Sequence, residues 1–98
     1  MNTADLQRYF DKSGDAQLLP GETIENEHGF IVYEIRGDSF FLLHVYGDGR
    51  YWQALAERIA RAAGCRRIVI GTSRNPQTLE RKYGYQTVRT GYILTKEL

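Results

Sequence analysis

The stretch SFFLLHVYGDGRYWQALAERIARAAGCRRIVIGT, residues 39–72, changes its apolar periodicity twice. Phe40 to Val45 is nearly continuous in apolar residues, the pattern of a strand covered on both faces and therefore central in its sheet. From Tyr51 the spacing switches to Trp52, Leu55, Ala56, Ile59, Ala60 and Ala63, the stripe of a helix packed on a sheet. Gly64 stands where a C′ glycine ends such a helix. Arg66 and Arg67 then lead into Ile68, Val69 and Ile70, a short β-branched run that suits a buried strand. Strand, helix and strand in this order join two parallel neighbours by a right-handed crossover.

Upstream, GETIEN, GFIVYEI and SFFLLHVY read as a three-stranded antiparallel meander. Its turns fall at Glu27-His28-Gly29 and Gly37-Asp38, residues that tolerate left-handed backbone, and His28 is expected to be solvated there. Further back, Thr3 caps a short helix in which Leu6, Tyr9 and Phe10 share a face and which ends near Ser13–Gly14; residues 14–22 connect it to the meander. Downstream, RNPQTLERKYGY predicts a two-turn helix with Asn75 as N-cap, Pro76 at N1 and Gly84 as C′, with Leu79 and Tyr83 on one face. The end, YQTVRTGYILTKEL, reads as two strands around Thr90-Gly91. The expected architecture is α+β. It comprises a mixed sheet with an antiparallel meander, a crossover helix to a parallel strand, a short helix and a terminal strand pair. All of residues 1–98 form one domain, with an N-terminal helix at 1–13 and a core at 22–98.

Composition narrows the function classes. A chain of 98 residues with 42% hydrophobic residues supports one core. Charge is balanced, 13 Lys+Arg against 12 Asp+Glu, so no global field favours nucleic acid and any anion site must be local. Arg58, Arg61, Arg66 and Arg67 read as a solvated surface whose field Glu57 blunts. MNTADLQRYF has no apolar run, which argues against a signal peptide or membrane span and for a cytoplasmic protein. Cys65, the single cysteine, reads as a packed thiol with neither a disulfide partner nor a CxxC mate. His28 and His44 are far apart and lack clustered carboxylates, so no metal site is expected.

The turn within HVYGDGRYWQAL, residues 44–55, is the candidate site. A strand end, a glycine turn and a helix N-terminus direct backbone N–H groups and a helix dipole at one point, which suits an anion. In that reading Asp48 caps the helix and Arg50 adds charge; in the structural alternative the glycines serve a tight strand-to-helix connection. Asp48 also places a negative charge beside any bound phosphate. His44 is a candidate proton acceptor or a hydrogen-bonded member of a sheet face, and Trp52 begins the core stripe. Tyr83 and Tyr85 read mainly as packing residues.

The element order from residue 22 to 98 resembles the C-terminal two-thirds of a GNAT N-acetyltransferase. The resemblance implies that acetyl-CoA, or another acyl-CoA, lies along the strand end His44, Val45, Tyr46. Its pyrophosphate would rest on Gly47, Asp48, Gly49, Arg50, Tyr51 and Trp52. The implied activity is transfer of the acetyl group to an amine, with His44 or water taking the amine proton and Tyr83 as the nearby acid. Several residues depart from the family pattern. Arg50 and Trp52 occupy helix-start positions where the family has small residues, Glu80 stands where it has an acidic-proton Tyr, and one short helix replaces its N-terminal strand and helix pair. GDGRxW before the helix and GCRR before the next strand resemble GNAT-like proteins of tailed bacteriophages, which would place the chain in a host cytoplasm or a virion. The alternative function is therefore a non-catalytic GNAT-fold structural or interaction protein. An edge strand of so small a sheet also offers pairing to a second copy as a homodimer.

Overall fold

The computed structural model describes residues 3–13, 17–71, 76–89 and 93–98. The elements run α1 (Thr3–Ser13), β1 (Glu22–Asn26), β2 (Gly29–Arg36), β3 (Ser39–Gly47), α2 (Gly49–Ala62), β4 (Arg67–Gly71), α3 (Gln77–Tyr83), β5 (Gln86–Arg89) and β6 (Ile93–Glu97). The fold is α+β: three helices and one mixed sheet of six strands among the described residues. Strand order is β1-β2-β3-β4-β6-β5, antiparallel throughout except for the parallel pair β3/β4 that α2 connects.

β3 is central, as its continuous apolar run predicts. Phe40 and Leu42 join a core under α2 and α3 that contains Ile31, Trp52, Ala56, Ala60, Ile68, Tyr85 and Leu94. On the opposite face Tyr9 of α1 packs with Phe30 and Val32, and Leu43 and Tyr46 lie against them. Adjacent β2 residues Phe30, Ile31 and Val32 divide between the two cores, as side-chain alternation requires. The result is three layers, with α1 on one face of the sheet and α2 and α3 on the other.

Helix ends follow the expected chemistry with small shifts. Gly64 (φ 78°) follows the C-cap Ala63, and Gly84 (φ 75°) ends α3 in the left-handed conformation. α2 begins two residues earlier than its apolar stripe, because the Asp48 side chain accepts from the Tyr51 N–H and caps the preceding turn. Thr3 is already helical instead of capping α1, and Pro76 is the N-cap residue of α3 instead of its first residue. The predicted cap Asn75 and the turn Thr90-Gly91 lie outside the described residues.

The tightest point of the fold is where the β1–β2 turn meets the end of β3. Gly29 (φ 120°) and Gly47 (φ 101°) are register partners, and a Cβ on either would collide with backbone, at Tyr46 O and His28 O respectively. Gly64 also has positive φ but open space around it. Gly47→Ala should therefore cost about 2 kcal/mol or more, combining left-handed strain with the collision, against about 1 kcal/mol for Gly64→Ala. Urea unfolding midpoints of the two variants check this; equal losses would remove the special status of the Gly29/Gly47 contact.

Candidate functional site

β3 carries a bulge at the site. Its register with β2 runs Val32↔His44 and then Tyr33↔Leu42, so Leu43 is the extra residue. The bulge shifts alternation by one, and Leu43 and His44 both turn to the α1 side while Leu42 stays on the α2 side. The described pairing of β3 with β4 runs from Ser39↔Arg67 to Leu42↔Ile70. Beside the carboxyl half of β3, on the α1 side, the described residues Gln17, Leu19, Phe41, Leu42, Leu43, His44, Val69 and Gly71 line a cavity of about 320 Å³.

His44 is buried, with both ring nitrogens engaged. The Leu19 backbone N–H donates to Nε2 at 2.9 Å, so Nε2 carries the lone pair and Nδ1 carries the proton. Nδ1 is 2.6 Å from the Tyr9 hydroxyl, whose ring meets the imidazole edge-on at 87°. The imidazole thus ties α1 and the following loop to the central strand. Acting as a base would require it to give up the Leu19 hydrogen bond.

At the end of β3 is the turn into α2, and its donors divide into two groups. The Asp48 N–H donates to His28 O at 2.9 Å, the Trp52 indole N–H reaches the same carbonyl at 3.1 Å, and the Trp52 backbone N–H bonds to Asp48 O. The Tyr51 N–H goes to the Asp48 carboxylate at 3.2 Å. The Tyr51 ring stacks on His28 at 3.8 Å, and its hydroxyl accepts from Asn26. His28 lies in the turn, as expected, with its side chain 36% exposed and one ring face covered by Tyr51; its Nδ1 lies 3.8 Å from the Asp48 carboxylate. Trp52 is wholly buried and points into the core, away from the turn's outer rim. Gly49 and Arg50 are the first-turn N–H groups without a protein acceptor among the described residues.

Arg50 lines a groove of about 360 Å³ between α2 and α3, together with Gln53, Ala54, Glu57, Lys82, Tyr83 and Lys96. Tyr83 lies over the start of α2: a Cβ on Gly49 would come within 2.7 Å of its hydroxyl oxygen. Tyr83 packs with the α2-side core and His44 with the α1 side, so the two predicted catalytic residues flank the sheet from opposite faces.

A polar chain that the apolar stripe does not reveal floors the groove. The Tyr85 hydroxyl donates to Gln53 Oε1 at 2.9 Å, Gln53 Nε2 donates to Glu57 at 3.1 Å, and Lys96 Nζ reaches the same carboxylate at 3.0 Å. Burial raises the Glu57 carboxyl, but hydrogen bonds from Gln53 and Lys96 and the charges of Lys96 and Arg61 outweigh it. The net direction is below the ordinary carboxylate range. Burial, only partly offset by the Gln53 hydrogen bond, pushes the Tyr85 phenol up to about 12. Gln53, Glu57, Lys82 and Lys96 were recoverable from sequence only in part, through the i, i+3, i+4, i+7 spacing of residues 50, 53, 54 and 57.

Among the described residues no group of three or more His, Cys, Asp or Glu side chains is placed to hold a metal ion, and no helix is long and apolar enough to cross a membrane. Comparison of the chain with protein-family models, with curated proteins and with solved structures finds no match in any of the three.

Two measurements check this geometry. Tyr9→Phe removes the phenol oxygen that faces the His44 N–H and should cost about 1–3 kcal/mol in urea unfolding; long-range ¹H–¹⁵N correlations of the wild type should place the ring proton on Nδ1. The Tyr85 phenol is raised in the folded chain above its unfolded value of about 10. Its contribution is therefore complete below about pH 10 and is lost as pH rises through about 12, on the order of 2 kcal/mol. Tyr85→Phe should flatten that alkaline limb of the stability profile.

Proposed function

We propose that this chain is a GNAT-like acyltransferase domain that binds acetyl-CoA along the carboxyl end of β3 and transfers the acetyl group to an amine. The observation that carries this reading is the bulge at Leu43, just after the parallel pair Leu42↔Ile70, with a cavity on one side of the sheet and a groove on the other. Acetyl-CoA, when bound, supplies the acetyl group as a thioester. Gly49 and Arg50 then offer backbone N–H groups to the pyrophosphate, with the Arg50 and Lys82 side chains as cations at the groove. Val45 and Tyr46 pair with Ile31 and Phe30 of β2, and of their two N–H groups the one directed away from β2 would polarise the carbonyl; Gly47, Asp48, Tyr51 and Trp52 hold the turn in shape. An amine would displace the thiol of the bound thioester with its proton passing to water, and Tyr83, whose hydroxyl lies at the helix start, is the phenol that would return a proton to the leaving thiolate. His44, engaged at both nitrogens, positions the strand end.

A second reading, a non-catalytic scaffold of the same fold serving as an interaction protein, draws on the turn donors already spent on His28 and Asp48. One titration separates the two. Acetyl-CoA in large excess should shift the amides of Gly49 and Arg50 and raise thermal stability, by about 2.7 kcal/mol at a hundredfold excess over Kd. Arg50→Glu with Lys82→Glu should remove both effects in a chain that still folds. No response at millimolar acetyl-CoA selects the scaffold.

A further inference from the structure

Charge in this chain is balanced in sum but divided in space. Residues 20–48 hold one Lys+Arg against six Asp+Glu, and residues 49–98 hold ten against three. The first group forms the neighbouring strands β1, β2 and β3; the second forms β4, β6 and β5 beyond them, with α2 and α3. The molecule is 34 Å long and the Debye length in physiological salt is about 8 Å, so a partner at the surface responds to the nearer half and not to the sum. The excess is most regular on α2. Arg50, Ala54, Arg58 and Arg61 are exposed and fall within about 80° of the helix circumference, opposite Trp52, Ala56 and Ala60 in the core. Arg50 to Arg61 spans about 16 Å of helix axis, and Lys82 and Lys96 line the groove beside it. Glu57 lies among them, but Lys96 at 3.0 Å and Arg61 at 3.5 Å already share its carboxylate. Arg50, Arg58 and Lys82 make no ion pair among the described residues. Residues 72–75 and 90–92 add one arginine and no acid to the composition of this half.

We infer that the exposed face of α2 is a docking surface for the phosphate backbone of double-stranded nucleic acid, bound without regard to base sequence. A duplex is an even line of charge, with one phosphate per about 3.4 Å along each strand, so about five phosphates of one strand lie beside the row. Guanidiniums pair with phosphate oxygens in a bidentate fork, and the small Ala54 lets the backbone come close between Arg50 and Arg58. A bilayer is a poorer occupant. The exposed large apolar side chains among the described residues are Leu19, before β1, and Ile35, on β2, so this face has none of them to insert. A second copy is poorer too, because in its acidic half Glu34 holds Arg36, Asp38 holds Arg67 and Asp48 caps α2. The inference stands apart from acyl transfer: Arg50 and Lys82 are common to both, whereas Arg58 and Arg61 lie outside the residues assigned to acetyl-CoA.

The test is fluorescence anisotropy of a labelled DNA duplex of about 20 base pairs, titrated with the full chain at about 50 mM and about 200 mM salt. Binding should weaken about a hundredfold between the two, as counterion release from about four phosphates requires, and a duplex of unrelated sequence should bind alike. Arg58→Glu should weaken binding at the lower salt about tenfold and reduce the salt slope by about one or more; Arg58→Gln should do so to a smaller extent. Arg8→Glu, on α1 at the opposite face of the sheet, changes net charge as much as Arg58→Glu and should leave binding within about twofold. Arg8 and Arg58 are exposed, so urea midpoints should stay at the wild-type value. No duplex binding with chain up to about 100 μM at the lower salt, salt-independent binding, or equal losses in Arg58→Glu and Arg8→Glu overturns the inference. Uptake on phosphatidylserine vesicles without duplex binding overturns it in favour of a membrane, and low-salt self-association without duplex binding overturns it in favour of a second copy. Arg58→Glu should leave any acetyl-CoA response at Gly49 unchanged, so failure of duplex binding is read separately from failure of acyl transfer.

Discussion

The His28 carbonyl is the acceptor on which the arrangement of the sheet and α2 depends. It takes the Asp48 backbone N–H and the Trp52 indole N–H together, and so joins the tip of the β1–β2 hairpin to both the last turn before α2 and the first turn within it. Gly29 and Gly47 permit that approach because neither has a Cβ to separate the two backbones. With its indole N–H satisfied, Trp52 can be wholly buried without the cost of an unpaired donor. The buried indole then seats α2 on the Phe40, Leu42 and Ile68 face, and the chain crosses to β4 parallel to β3.

Much of this was legible along the chain because it is written in periodicity. The run from Phe40 to Val45 announces a strand covered on both faces, and the Trp52 to Ala63 stripe announces the helix that covers one of them. Gly64 and Gly84 mark helix ends through a local backbone requirement, which any reader of the sequence can apply. Element boundaries moved where a side chain overrides the apolar pattern, as Asp48 does in drawing the start of α2 back to Gly49.

The bulge was not legible, and the site turns on it. In Phe40-Phe41-Leu42-Leu43-His44-Val45 either face accepts almost every side chain, so no residue type declares which one is extra. Counting by twos from Phe40 and Leu42 sends His44 under α2; the extra Leu43 sends it to Tyr9 and Leu19 instead. Long-range polar contacts are hidden for a different reason. Gln53, Glu57, Tyr85 and Lys96 are individually ordinary surface or packing residues, and only the β6-beside-β4 topology brings the last two to the side of α2.

The near-zero net charge of the chain and a locally cationic groove are compatible because the acids around the turn are turned elsewhere. Asp48 is adjacent in sequence to the helix start, yet its carboxylate points to the Tyr51 N–H and toward His28, on the hairpin side. Glu57 lies in the groove, but Lys96 and Arg61 share its charge. Arg50 and Lys82 therefore set the sign of the field at the mouth of the groove, beside the Gly49 and Arg50 N–H groups and the positive end of the α2 dipole. The turn thus has a structural side, where its donors and its acid are consumed in holding the hairpin, and a solvent side facing α3, where its positive groups collect.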